Sequence, residues 1–112
     1  MEAACRGAKE AGGTTLGLLA GSDRTHANAY VDVAVPTGLG EARNALVVGT
    51  ADAVVAVGGG YGTLSELALA LRTGKPVVGL ETWEIEGVQA AGSPDEAAEA
   101  ALARARGDRA GG

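Results

Sequence analysis

Phenylalanine is absent from this chain of 112 residues, and two tyrosines with one tryptophan hold the aromatic share to 3%. An interior without many large flat rings must be filled by Ala, Val and Leu, side chains suited to close packing of helices on a sheet. One cysteine, Cys5, excludes an intramolecular disulfide and leaves no thiolate cluster for a metal. No His–Asp or His–Asn pattern accompanies Cys5, so it reads as a small hydrophobe. His26 stands alone in a polar stretch and reads as solvated surface. Neither a Ser-His-Asp pattern nor zinc-ligand spacing is present. No apolar run approaches the roughly 18 residues needed to span a bilayer, and no secretory signal is visible. No membrane contact and a cytoplasmic location are therefore expected. Basic charge is also scarce: the formal net charge is −5, which excludes the basic face that general nucleic-acid binding needs.

What the sequence has in abundance is glycine, 19 residues against a usual share of about 7%. The glycines are not periodic, and many sit where apolar runs end. That placement suits tight strand-to-helix turns. Met1 to Ala11 predicts a helix stopped by Gly12-Gly13. Short β-type runs follow at Thr14–Leu19 and Tyr30–Val35, the second ended by Pro36-Thr37-Gly38. Glu41 to Thr50 predicts a helix whose apolar positions are Ala42, Ala45, Leu46 and Gly49. Ala53–Val57 is continuously apolar, as expected of a parallel strand covered on both faces. A helix from Leu64 to Thr73, a strand at Val77–Leu80 and an edge strand at Val88–Ala90 follow. Ser93-Pro94-Asp95-Glu96 is a helix start, with Ser93 as cap and Glu96 completing a capping box. Strands alternating with helices at this spacing predict an α/β fold, a Rossmann-like three-layer parallel sheet. A single domain is expected over residues 1–105, with a frayed tail at 106–112.

The turn Gly58-Gly59-Gly60-Tyr61-Gly62-Thr63 lies between a buried strand and a helix. The first turn of a helix carries unpaired N–H groups and partial positive charge, and glycine lets a phosphate reach the backbone. In open α/β sheets, ligands bind beyond the carboxyl ends of the strands, where this loop belongs. A phosphate-binding loop for a nucleotide-like ligand is the expectation, although the P-loop lysine is missing. Thr63 and Glu66 also fit a capping box. A Glu66 carboxylate at that helix mouth is equally placed for acid–base or ribose contacts. Arg43 follows Thr37-Gly38-Leu39-Gly40 at another helix start, where it suits either a bidentate phosphate clamp or an exposed helical surface.

These residues carry a family resemblance. Gly59, Gly60, Gly62, Thr63 and Glu66 fit the Pro-Gly-Gly-x-Gly-Thr-x-x-Glu signature of the Lonely Guy (LOG) nucleotide phosphoribohydrolases, with Gly58 in place of the Pro. The family's Arg-Lys pair aligns with Arg43-Asn44, so the Arg is kept and the Lys lost. Ala27-Asn28-Ala29-Tyr30, the stretch Pro36 to Asn44 and the Gly58-Gly59-Gly60 variant look more like a neighbouring branch of the same Rossmann-like superfamily, which includes molybdenum-cofactor carrier proteins.

The resemblance implies Thr37, Gly38 and the Gly58–Thr63 loop as ligand-binding residues, and Arg43 and Glu66 as catalytic if the chain is an enzyme. It requires no resident cofactor or metal. The implied partner is a nucleotide or another phosphorylated small molecule, with the molybdenum cofactor as a candidate cargo. Hydrolysis of a nucleoside 5′-monophosphate to release a purine base is the enzymatic alternative. The resemblance also implies an N-terminally truncated chain, because Met-Glu-Ala is internal in the family and follows a first β-α-β unit. Such a chain is expected to be unstable or to form a homo-oligomer through open strand edges.

Overall fold

The computed structural model describes residues 1–107 and divides at the start of one helix into two units, Met1–Arg43 and a second beginning at Asn44. Expectations for residues 108–112 lie outside the described residues.

In the first unit, α1 (Glu2–Glu10) precedes β1 (Leu16–Leu19) and β2 (Val33–Pro36), which pair in parallel with Leu16 opposite Val33. Helix α1 carries Glu2 in its first turn and Lys9 in its last, both favourable to the helix dipole. It stops as expected. Gly12 takes the left-handed conformation at φ +82°, and the Gly13 amide donates to the Ala8 carbonyl at 2.7 Å. Cys5 is half-buried. His26 closes a short 3-10 turn, Arg24–His26, and its only partner among the described residues is Asp23 at 3.6 Å.

A polar knot around Thr15 and Asp32 ties these elements together. The Thr15 amide donates to Asp32 Oδ2 at 2.8 Å, and the Asp32 amide donates to Thr15 Oγ1 at 2.8 Å. The Thr15 hydroxyl also donates to the Tyr30 carbonyl, and Lys9 Nζ reaches Asp32 from α1 at 2.9 Å. The Lys9 ammonium, and after it the Thr15 amide, hold the Asp32 carboxyl below the usual aspartate range. A depressed carboxylate stabilises the fold above its unfolded pKa of about 3.9 and ceases to do so as pH falls through its folded value. Urea denaturation of wild type and Asp32→Asn should therefore differ at neutral pH and converge below about pH 3.9. A difference that does not shrink on acidification would rule out this ionic contribution.

The second unit contains the rest of α2 (Arg43–Thr50), then β3 (Val54–Val57), α3 (Tyr61–Arg72), β4 (Val77–Leu80), β5 (Val88–Ala91) and α4 (Pro94–Ala105). Its sheet runs β3-β4-β5, all parallel, with Val54 opposite Val77 and Val77 opposite Val88. All five expected strands are present, and every pairing is parallel, as an α/β Rossmann-like fold requires. Helix α3 packs on β3 and β4, and α4 packs on β3, β4 and β5. The core is aliphatic, as the composition demands: Val48, Val54, Ala56, Leu67, Ala70 and Val77 are buried together, with Leu69, Trp83, Ile85 and Val88 against them. Gly79 is required by close approach, since a Cβ there would stand 2.6 Å from Thr82 Cγ2 and 2.8 Å from Val88 Cγ1.

Helix α4 starts as expected, with the Ser93 side chain accepting from the Glu96 amide at 3.1 Å. The Glu96 carboxylate in turn accepts from the amide one residue before the cap, that of Gly92, at 2.9 Å. Arg106 forms the C-cap of this helix, and Gly107 follows at φ +84°.

Two expectations are corrected. Strand β3 is not covered on both faces: Val54 and Ala56 are buried, whereas Val55 is 42% and Val57 59% exposed. The two-sided strand is β4, where Val77, Val78 and Gly79 are all buried. Continuous apolarity permits cover on both faces but does not dictate it. Helix α2 also turns a different face inward. Asn44 and Val48, four residues apart, are buried, while Ala45, Leu46 and Gly49 are exposed. Here the contacts reaching the helix override its apolar stripe.

Candidate functional site

Strand β3 delivers the chain into Gly58, whose φ of +86° favours glycine, and the Gly58 amide donates to the Leu80 carbonyl at 3.3 Å. That bond laces the carboxyl ends of β3 and β4 together. Helix α3 then begins at Tyr61 with Gly60 as its N-cap and no side-chain cap. The first helical bond runs from the Leu64 amide to the Gly60 carbonyl at 3.1 Å. Among the described residues, the amides of Gly59, Gly60, Tyr61, Gly62 and Thr63 donate to no acceptor. Five consecutive amides at a helix start form the donor array that a phosphate would neutralise.

The helix begins three residues earlier than its sequence pattern indicates, which corrects the capping-box reading of Thr63 and Glu66. Thr63 sits inside the first turn, and its hydroxyl lies 3.5 Å from the Val57 carbonyl, too long to hold it firmly. The half-buried Glu66 side chain forms no hydrogen bond or ion pair among the described residues. Three residues apart on a helix, Thr63 and Glu66 are neighbours along one face.

The glycines of this loop are not explained by crowding within the chain. Among the described residues, a Cβ built on Gly59, Gly60 or Gly62 meets nothing within 4 Å. Gly62 moreover lies in a helical first turn, where glycine is disfavoured by about 1 kcal/mol relative to alanine. Open backbone with unused donors is what an external anion requires.

Trp83, three residues beyond β4, belongs to the same neighbourhood. Its indole Nε1 donates to the Gly60 carbonyl at 3.3 Å, and its ring stacks with Tyr61 at a centroid distance of 6.3 Å and 26° between planes. Trp83 packs against the core as well as bonding the loop, a contact that no local sequence pattern signals. Topology carries the signal: β3 and β4 are adjacent parallel strands, so the segments after them emerge side by side.

The other expected site residues lie in the first unit. Thr37 and Gly38 are engaged by the end of β1 and the segment that follows it. The Thr37 amide and hydroxyl both donate to the Leu19 carbonyl, at 3.2 and 2.6 Å, and the Gly38 amide donates to the Gly21 carbonyl at 2.9 Å. Gly40 likewise donates to the Ala20 carbonyl at 2.9 Å. These bonds leave the amides of Thr37, Gly38 and Gly40 already occupied. Arg43 is half-buried; its Nη1 donates to the Leu18 carbonyl at 2.8 Å, and its buried Nε has no partner among the described residues. Its guanidinium therefore serves the end of β1. A shallow groove of about 370 Å³ runs along α1 against Tyr30. Two of its charged groups, Arg6 and Glu10, already pair with one another at 3.0 Å.

The same chain matches known proteins over nearly its whole length. A model of the SLOG cluster4 family fits residues 1–106. The chain belongs to the SLOG cluster4 family. An uncharacterised protein of Archaeoglobus fulgidus is 42% identical over 98 residues, which is 87% of this chain and 64% of that protein. The chain thus spans just under two thirds of the length of this SLOG cluster4 member's archaeal relative.

Among solved structures, the molybdenum cofactor binding protein of the phototrophic bacterium Rippkaea orientalis is 40% identical, with a TM-score of 0.82 over 89% of this chain and 68% of that one. The molybdenum cofactor carrier protein of Chlamydomonas reinhardtii is 39% identical, with a TM-score of 0.78 over 93% of this chain and 69% of that one. The resemblance to the Rossmann-like LOG superfamily, on its molybdenum-cofactor-carrier-like side, is therefore upheld for this SLOG cluster4 chain. Among the described residues, no helix is long and apolar enough to cross a membrane.

Proposed function

We propose that the Gly58–Thr63 loop binds the phosphate of a small molecule, and that the molybdenum cofactor, held without conversion, is its ligand. One observation carries this reading: five consecutive amides at the start of α3 are unused, on a backbone whose Gly59, Gly60 and Gly62 a Cβ would not crowd. The anion would sit at the positive end of the helix dipole, within reach of the Thr63 hydroxyl. The relatives that bind or carry molybdenum cofactor support this choice of ligand, which joins a pterin to a phosphate. An overall net charge of −5 is no obstacle, because the donors are local.

A titration of the 15N-labelled chain with neopterin monophosphate, a phosphorylated pterin, tests the reading. The amide signals of Gly59 to Thr63 should shift and saturate. Unmoved loop amides would overturn it.

A second reading, hydrolysis of the N-glycosidic bond of a purine nucleoside monophosphate, draws on Glu66. Its half-buried carboxylate is free of a capping bond and shares a helix face with Thr63. A carboxylate in that position can stabilise developing charge on the sugar or activate water. Incubation with AMP would then release adenine, and release abolished by Glu66→Gln would favour this reading over carriage.

A further inference from the structure

Two of the three aromatic residues in the chain stack on one another beside the glycine loop. Tyr61 is the first residue of α3 and directly follows Gly60, yet 84% of its surface remains exposed. A side chain that buries so little contributes little to folding. Trp83 beneath it is fixed twice, by packing against the core and by the bond from Nε1 to the Gly60 carbonyl. That bond holds the ring against the Gly60–Tyr61 peptide, whose N–H is the middle one of the unused amides. The result is an aromatic pair anchored through Trp83, with Tyr61 open to solvent beside the donors proposed to hold a phosphate.

We propose that Tyr61, propped on Trp83, is the stacking platform for a planar heterocycle carried by the phosphorylated ligand. This rests on the phosphate-loop reading and extends it from the anion to the ring. An aromatic face recognises a flat heterocycle through its π surface and tolerates differences in ring substituents. Phosphate amides and a stacking face on consecutive residues would select phosphorylated planar heterocycles, pterins and purines alike, over phosphate esters without a ring. Tyr61 is then a specificity-determining residue, and Trp83 a positioning residue that acts through it.

The test compares two probes on the full chain: neopterin monophosphate, and glycerol 3-phosphate, which offers a phosphate ester without a ring. Dissociation constants come from amide-shift titrations of wild type, Tyr61→Ala and Tyr61→Trp. Wild type should prefer neopterin monophosphate. Tyr61→Ala should weaken that probe about tenfold, the size of one lost base–aromatic stack, and leave glycerol 3-phosphate unchanged. Tyr61→Trp should retain the preference. Because Tyr61 is largely exposed, its removal should leave the amide spectrum of the core unaltered. A Tyr61→Ala variant that keeps its preference for the ring, or loses both probes equally, would overturn the platform alone. Failure of both probes to move the loop amides in wild type would overturn the phosphate loop and the platform together.

Discussion

Leu67→Ala is expected to lower the free energy of unfolding by about 2–5 kcal/mol, the range for truncating a buried leucine whose site collapses only partly. Leu67 is 0% exposed and is the largest of the fully buried side chains. Its cluster is made of Val48, Val54, Ala56, Ala70 and Val77, short side chains with little freedom to swing into a void. The loss should therefore lie towards the upper part of that range. Small domains are stable by about 5–15 kcal/mol, so this single change would remove a large fraction of the total. Urea denaturation with an unchanged m-value is the measurement, and a loss below about 1 kcal/mol would show that the core repacks. Leu67 is next in sequence to Glu66 and one turn beyond Thr63. Its burial anchors the helix whose first turn presents the loop amides.

Gly62→Ala should separate stability from binding. The Ala variant is expected to gain about 0.5–1 kcal/mol of stability, because glycine is a poor helix former and a Cβ at this position meets nothing within 4 Å among the described residues. The same Cβ would stand among the unused amides and hold a phosphate off them. Affinity for neopterin monophosphate should fall at least about tenfold, or roughly 1.4 kcal/mol. Gly58→Ala is the complementary variant. At φ +86° it forces a left-handed L-residue and should lose about 1–2 kcal/mol of stability. A Gly62→Ala chain that is more stable and binds as tightly as wild type would remove the phosphate from this loop.

Much of the fold can be read from local pattern, because the features that specify it are local. Each strand is a short apolar run bounded by a glycine or proline. The stops at Gly12-Gly13 and the start at Ser93-Pro94 follow from backbone conformation and one side-chain bond. The backbone of the glycine loop is equally legible, since a strand, three glycines and a helix set out a row of open amides without reference to the rest of the chain.

What escaped depends on groups far apart in sequence. Burial of Asn44 on α2 and exposure of Val57 on β3 depend on which elements lie against each face. Thr37 and Gly38 look free as a sequence, yet their donors are taken by the Leu19–Gly21 turn 17 or 18 positions earlier. Arg43 likewise bonds the Leu18 carbonyl, 25 positions away. Thr63 and Glu66 have the spacing of a capping box. The same local sequence also permits the helix to begin at Tyr61, and it does.

Trp83 is the only tryptophan in the chain, and its indole N–H rests on the Gly60 carbonyl. The protein therefore carries an intrinsic fluorophore at the mouth of its proposed site. Any occupant that moves the Gly60 peptide or covers Tyr61 changes the surroundings of that one emitter. Candidate ligands can be ranked by the colour and intensity of its emission, with no label added and no second tryptophan to blur the signal.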